Sequence, residues 1–189
     1  MGAAVFQRYG RLDILFNNVG GPPEGKPSEL DDAQWQAALE LNFLSVVRMT
    51  REALPHMRRR RWGRIINLLS FVVKEPTEGL VLSTGVRMAV VGFAKMLSDE
   101  VAAEGITVNN ILPGYILTDR LRSLAQTRAD REGGTVEEVM EAMAGRIASR
   151  RIGRQEEVAD LVCFLASERA SYITGTSLLL DGGMSRATL

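Results

Sequence analysis

The chain is poor in residues that mark specialised protein classes. It has one cysteine, Cys163, and one histidine, His56, among 189 residues. A single thiol excludes an internal disulfide framework and suits a reducing compartment, so a cytoplasmic location is expected. Net charge is zero, with 23 basic and 23 acidic side chains, which argues against a sequence-independent nucleic-acid binder. No apolar run reaches the roughly 18 residues of a membrane span, and the opening MGAAVFQRYGR has no signal-peptide pattern. Internal repeats, low-complexity tracts and linkers are missing, so one domain over 1–189 is expected. At 46% hydrophobic and 24% charged, the composition is that of an ordinary globular protein, which excludes disorder, collagen and coiled coil. A chain of this size buries roughly 70% of its unfolded surface, enough for a real core.

What is present alternates between strand-length apolar runs and longer helical patterns. The runs are 12–17 (LDILFN), 64–69 (RIINLL), 106–112 (ITVNNIL) and 177–180 (SLLL). Their continuous apolar character predicts strands covered on both faces of a parallel sheet. Asp31 and Asp32 are N-cap candidates for a helical segment reaching about Arg60. A second helix is expected over 80–104, ended by Gly105, and a third from Glu156 to Ser167. The order predicts an α/β, doubly wound parallel sheet with right-handed crossovers. The stretch 121–150, with Gly133-Gly134 inside it, reads as a mobile insertion or lid over a cleft. Arg58 to Arg61 read as a solvated helix C-terminus complementing the dipole, with a phosphate patch as the alternative. His56 reads as a surface or capping residue, and Cys163 as a core or partly buried thiol.

Ligands of doubly wound sheets sit at the carboxyl ends of the strands. After the first run come Asn17, Asn18, Val19, Gly20 and Gly21; after the second, Ser70. Pro113, Gly114, Tyr115 and Thr118 follow the third, and Asp181, Gly182 and Gly183 the fourth. Small hydrogen-bonding residues there suit the close approach of a flat polar cofactor, although each cluster alone also reads as plain turn chemistry. Taken in order, LDILFNNVGG (12–21), LNFLSV (41–46), GRIINLLS (63–70), ITVNNILPGYILTD (106–119) and RIGRQEEVADLVCFLASERASYITGTSLLLDGG (151–183) resemble the short-chain dehydrogenase/reductase family. The likeness is to its 3-oxoacyl-(acyl-carrier-protein) reductase-like branch and covers essentially the whole chain. The resemblance implies a Rossmann-like fold and a nicotinamide cofactor, NAD or NADP. It implies a small-molecule carbonyl or alcohol substrate and a homodimer or homotetramer built on helices 42–60 and 80–104. It places Asn42 and Ser70 at catalytic-tetrad positions, and Asn17, Gly20, Pro113, Gly114, Ile116 and Thr118 around the cofactor.

Two departures from the family pattern stand out. No glycine-rich phosphate loop precedes Leu12, and about 75 residues of strand–helix units are expected to be missing. Cofactor binding is therefore expected to be weakened, and 12–17 to form an exposed apolar edge. The Tyr-x-x-x-Lys pair is also changed. Aligning on Ala89, Gly92 and Phe93 puts Ser83 at the Tyr position and Arg87 at the Lys position. Spacing of four keeps the two on one helix face. A phenol of pKa about 10 is tunable by a nearby cation, whereas an aliphatic hydroxyl is far less acidic. Arg87 stays protonated, so it can hold a cofactor ribose but shuttles no proton. Tyr115 reads as packing on cofactor or lid, and Lys74, Glu75 and Glu78 as a substrate mouth or a solvated loop. Three readings stay open: a carbonyl reductase with atypical catalytic residues Asn42, Ser70, Ser83 and Arg87; a non-catalytic cofactor- or ligand-binding homologue; and a truncated inactive fragment. No metal site is read from the sequence.

Overall fold

The computed structural model describes residues 7–188. Four parallel strands form one sheet in the order β1 (Ile14–Asn18), β2 (Gly63–Leu68), β3 (Ile106–Pro113) and β4 (Ser177–Leu180). Each lies within two residues of an expected apolar run. β2 and β3 are buried almost throughout, as continuous apolar character requires of strands covered on both faces. β1 alternates instead: Leu15 and Asn17 are buried, while Ile14 is 45% and Phe16 39% exposed. It is the edge of the described sheet, and only one of its faces carries a helix. The apolar edge expected for 12–17 is thus seen.

The first helical segment is not one continuous α-helix. α1 (Asp32–Leu39) starts at Asp31, whose carboxylate accepts from Gln34 N at 2.8 Å while Gln34 Oε1 accepts from Asp31 N at 3.0 Å. This reciprocal cap satisfies two otherwise orphaned donors. A π turn over Glu40–Leu44 follows, and α2 (Ser45–Arg60) continues from it. α3 (Val81–Val101) runs into a single 3₁₀ turn that ends at Gly105. Gly105 has φ +77°, and a Cβ there would lie 2.3 Å from Arg61 O, so this stop admits only glycine. The arginines at the end of α2 are more than solvated charges. Arg58 donates to Glu100 at 2.7 Å and to Glu104 at 2.9 Å, Arg61 donates to Ala103 O at 2.8 Å, and Arg60 lies 3.3 Å from Asp13. His56 pairs with Arg59 in the same turn.

Residues 121–150 hold α4 (Asp119–Glu132) and α5 (Val136–Gly145), broken at Gly133 and packed together through Leu121, Ala125, Val139 and Met143. α6 (Gln155–Ala166) follows. Leu15, Ile65 and Val108 pack against Ala53 and Met57 of α2 and Ala94, Leu97 and Val101 of α3. The opposite face packs Ile66 and Ile111 against Leu165 of α6 and Ala170. The strands advance in one direction, so crossovers of one hand would put every helix on one face. α6 lies on the other face, and the β3–β4 connection is therefore opposite in hand to the first two. The expectation of uniformly right-handed crossovers fails there, in a connection long enough to hold three helices.

Cys163 also corrects an expectation: it is exposed. At 100° per residue it points some 200° away from buried Leu165, off the sheet-facing side of α6. The segment Val81–Glu104 reaches spanning length with a mean hydropathy of 1.3. Arg87 and Lys95 interrupt it, and Leu82, Val86, Val90 and Ala94 are buried, which makes it a core helix.

One row of the sheet is polar. Asn17, Asn67, Asn110 and Ser177 stand side by side in the strand register. Asn17 Nδ2 donates to Asn67 Oδ1 at 2.8 Å, Asn67 Nδ2 to Asn110 Oδ1 at 2.9 Å, and Asn110 Nδ2 to Ser177 Oγ at 3.0 Å. All three asparagines are buried. Such a row fixes register, because sliding one strand breaks two side-chain bonds as well as the backbone ladder. Replacing Asn67 by Leu strands a donor on Asn17 and an acceptor on Asn110. We expect a loss of about 2–4 kcal/mol in urea unfolding; a loss below about 1 kcal/mol would show that the row is not structural.

Candidate active site

The carboxyl ends of β1 and β2 are joined by one side chain. Arg87, on α3, is 6% exposed. Its Nε donates to Ser83 Oγ at 3.1 Å, its Nη1 to Leu68 O at 3.1 Å and its Nη2 to Val19 O at 3.3 Å. Burial lowers its pKa to about 10, with the neighbouring Arg120 cation adding to the effect. The pairing of positions 83 and 87 read from helical spacing is therefore a hydrogen bond here, and it closes on the two strand ends.

The other expected residues gather around this point in different ways. Ser70, two residues beyond Leu68, caps a short 3₁₀ turn at Phe71–Val73, its Oγ accepting from Val72 N at 3.4 Å. Asn42 sits in the π turn, which packs against α3. Its Nδ2 reaches Ala38 O at 3.4 Å, and its buried Oδ1 has no hydrogen-bond partner among the described residues. π turns often carry functional side chains, because the widened turn re-aims them. Asn17 commits its amide donor to Asn67, which places it in the sheet. Gly20 has open space where a Cβ would stand. At Gly114 a Cβ would lie 2.8 Å from Asp181 Cβ, so packing of β3 against the end of β4 already accounts for that glycine. Thr118 caps α4, its hydroxyl accepting from Leu121 N at 3.3 Å. Ile116 bridges Gly153. Tyr115 meets Phe71 edge-on at 6.1 Å between ring centres, which ties the loop after β3 to the loop after β2. Glu75 accepts from Arg186 N at 2.8 Å, and that N–H holds its carboxyl below the usual range.

The sequence matches the family profile described as enoyl-(acyl carrier protein) reductase over residues 1–185. The chain belongs to the short-chain dehydrogenase/reductase family. Among curated short-chain relatives, nodulation protein G of Azospirillum brasilense is 35% identical over 98% of this chain and 71% of its own length. The 3-oxoacyl-(acyl-carrier-protein) reductase of Escherichia coli (strain K12) is 36% identical over 93% of this chain and 68% of its own length. Among solved structures, L-sorbose reductase from Gluconobacter frateurii, complexed with NADPH and L-sorbose, superposes with a TM-score of 0.93. It is 33% identical over 98% of this chain and 71% of its own length.

Residues that sequence reasoning missed complete this short-chain reductase site. Arg120 reaches back across the cleft, donating to Gly21 O at 3.1 Å and lying where a Gly21 side chain would be. No local spacing announces a contact over 99 positions. Asn67 and Asn110 escaped because their role needs the register; the visible signal was an asparagine inside each apolar run.

Glu157 secures the far wall. It accepts from Arg151 Nη1 at 2.8 Å, Arg151 Nη2 at 2.6 Å and Arg154 N at 2.8 Å. Gly153, inside that loop, donates to Tyr115 O at 3.0 Å and accepts from Leu117 N at 2.8 Å. A cavity of about 210 Å³ lies there, lined by Tyr115, Ile116, Ser149, Arg151, Glu157 and Asp181. These bonds, the Arg151 pair foremost, lower the Glu157 pKa from 4.5 to about 2. A depressed carboxylate pKa contributes stability that is fully present above pH 4.5 and lost as pH falls through about 2. Glu157→Gln should therefore lower stability at neutral pH and flatten its decline in that acid window, read by denaturant titrations at stepped pH. An unchanged slope would show that the carboxylate is not held this way.

Proposed function

We propose that this chain is an NAD(P)(H)-dependent short-chain oxidoreductase, a reductase of carbonyl compounds like the 3-oxoacyl reductases, with Ser83 and Arg87 in place of the usual Tyr and Lys. The carrying observation is the Ser83–Arg87 hydrogen bond, made at the carboxyl ends of β1 and β2 beside Ser70. The residues suit a nicotinamide dinucleotide on one side: open space at Gly20 and an unpartnered Asn42 Oδ1 in the same region. Gly20, Pro113, Gly114, Ile116 and Thr118 would hold it, with Asn17 setting the strand from which Gly20 departs and Arg87 offering N–H groups to ribose hydroxyls. A bound nicotinamide supplies the hydride. Ser70 orients the carbonyl oxygen, and Asn42 Oδ1 accepts from a water that replenishes the proton. Arg87, permanently charged, stabilises developing negative charge on oxygen without giving up its own proton. The chain is assigned to the cytoplasm, with a dinucleotide grip weaker than micromolar, measured by nicotinamide fluorescence titration.

A second reading has its own support. The Ser83 hydroxyl already accepts from Arg87 and lacks the acidity of a phenol, so the same pocket serves a ligand-binding homologue that turns nothing over. Ser83→Tyr with Arg87→Lys separates the two. We expect turnover of a 3-oxoacyl thioester with NADPH to rise at least about tenfold, restored proton transfer being worth about 10²–10⁴. No gain would favour the binding homologue.

We also propose a homodimer or homotetramer. Met88 and Met96 of α3 are 53% and 72% exposed, and Leu41 of the π turn is 51% exposed, a run of apolar surface on the two helical segments expected to self-associate. Multi-angle light scattering at micromolar concentration should give two or four chains; a monodisperse monomer refutes the assignment.

A further inference from the structure

Two buried arginines of this chain are treated very differently. Arg64, 2% exposed, has a carboxylate, Glu168, at 3.4 Å and an aromatic ring, Trp62, 4.4 Å from its guanidinium carbon. Arg87 has neither: its protein partners are one hydroxyl and two carbonyl oxygens. No Asp or Glu pairs with Arg87 or with Arg120 among the described residues. Both guanidinium groups nevertheless grip the same four-residue segment. Arg87 holds its start at Val19 O, and Arg120 holds Gly21 O at 3.1 Å and Pro22 O at 3.5 Å. Two cations thus face one short loop at the mouth of the sheet with no negative charge between them.

Neutral acceptors satisfy N–H groups but leave the charge uncompensated, and an unpaired buried charge costs several kcal/mol. A guanidinium has five N–H donors. Arg87 spends three on the protein, which leaves two for a ligand. Two N–H groups of a planar cation match the two oxygens of a carboxylate. A phosphate would bring a third oxygen and a second charge, for which Arg87 has no further donor. A neutral thioester or ester would leave both cations as they are.

We infer that Arg87 and Arg120 form a carboxylate site over the Val19–Pro22 loop, and that the substrate taken at this cleft is an oxo acid carrying a free carboxylate. As a statement about substrate it rests on the reductase reading; as a statement about the binding site it stands alone. Neither the family match nor the relatives assign an anion site here, and Arg120 belongs to no motif read from the sequence. The short side chain at position 83 is consistent with it, because it leaves room beside Arg87 that a phenol would fill.

The test is calorimetric titration of the chain at low ionic strength, without nicotinamide, using acetoacetate, its neutral ethyl ester and inorganic phosphate. Saturable binding of acetoacetate at least tenfold tighter than of the ester supports the site. So does a further tenfold or greater weakening in Arg120→Ala, an exposed position whose circular dichroism and melting temperature should match the parent. Arg87→Lys keeps the charge but loses the planar fork and should weaken acetoacetate as well. Equal binding of acid and ester, no binding of acetoacetate, phosphate binding tighter than acetoacetate, or unchanged affinity in Arg120→Ala each overturns the proposal. Failure of hydride transfer while acetoacetate binding persists removes the reductase reading and leaves the carboxylate site standing.

Discussion

The row of amides across the sheet is the constraint on which the rest depends. Asn17, Asn67 and Asn110 sit at one register level in β1, β2 and β3, and Ser177 ends the row in β4. Parallel strands have no hairpin turns to set their pairing, and backbone ladders alone tolerate slippage. A chain of side-chain bonds in a dry interior does not, since a slip would strand several polar groups at once. Fixed register aligns the strand ends, and aligned ends put Val19 O and Leu68 O within reach of one guanidinium. The cleft geometry is thus inherited from a polar row one or two residues below it.

Arg87 then converts that alignment into a binding surface. It joins α3 to β1 and β2 through three hydrogen bonds, so the cleft floor moves with the core and not with the loops. The group that fixes the floor is also its charge. Desolvation works against that charge, whereas the bonded carbonyls work for it. The balance is drawn more finely than at Arg64, where Glu168 and Trp62 share the load. The opposite wall is set by a surface device, the Glu157 pair with Arg151, which holds Gly153 against Tyr115.

Much of this was legible in the chain. Apolar runs ending in asparagine, serine, proline and glycine marked the strand ends to within two residues, because a strand covered on both faces has few other ways to be written. Asp31 announced its cap, and the interval from 83 to 87 announced a shared helix face. What stayed hidden was whatever depended on a partner distant in sequence. Cys163 is apolar enough for a core, and only the direction from which α6 meets the sheet turns it outward. β1 reads like its neighbours, yet its exposure is decided by which helices reach it. The hand of the last crossover and the return of Arg120 to Gly21 are likewise properties of the assembled fold.

The π turn at Glu40–Leu44 carries a consequence of a different kind. One residue more than an α-turn needs is threaded into the helix there. Everything after it is rotated by about 100° from where an uninterrupted coil would have carried it. Ala53 and Met57 meet Leu15 and Ile65 only in that shifted phase, and Arg58 meets Glu100 and Glu104 on the same terms. The segment works as a phase element, in which the count of residues matters more than their identity. Point changes along Glu40–Leu44 would be absorbed locally, whereas a one-residue deletion would swing the apolar stripe of the following sixteen-residue helix off the sheet. Length, at this one place, is under tighter constraint than sequence.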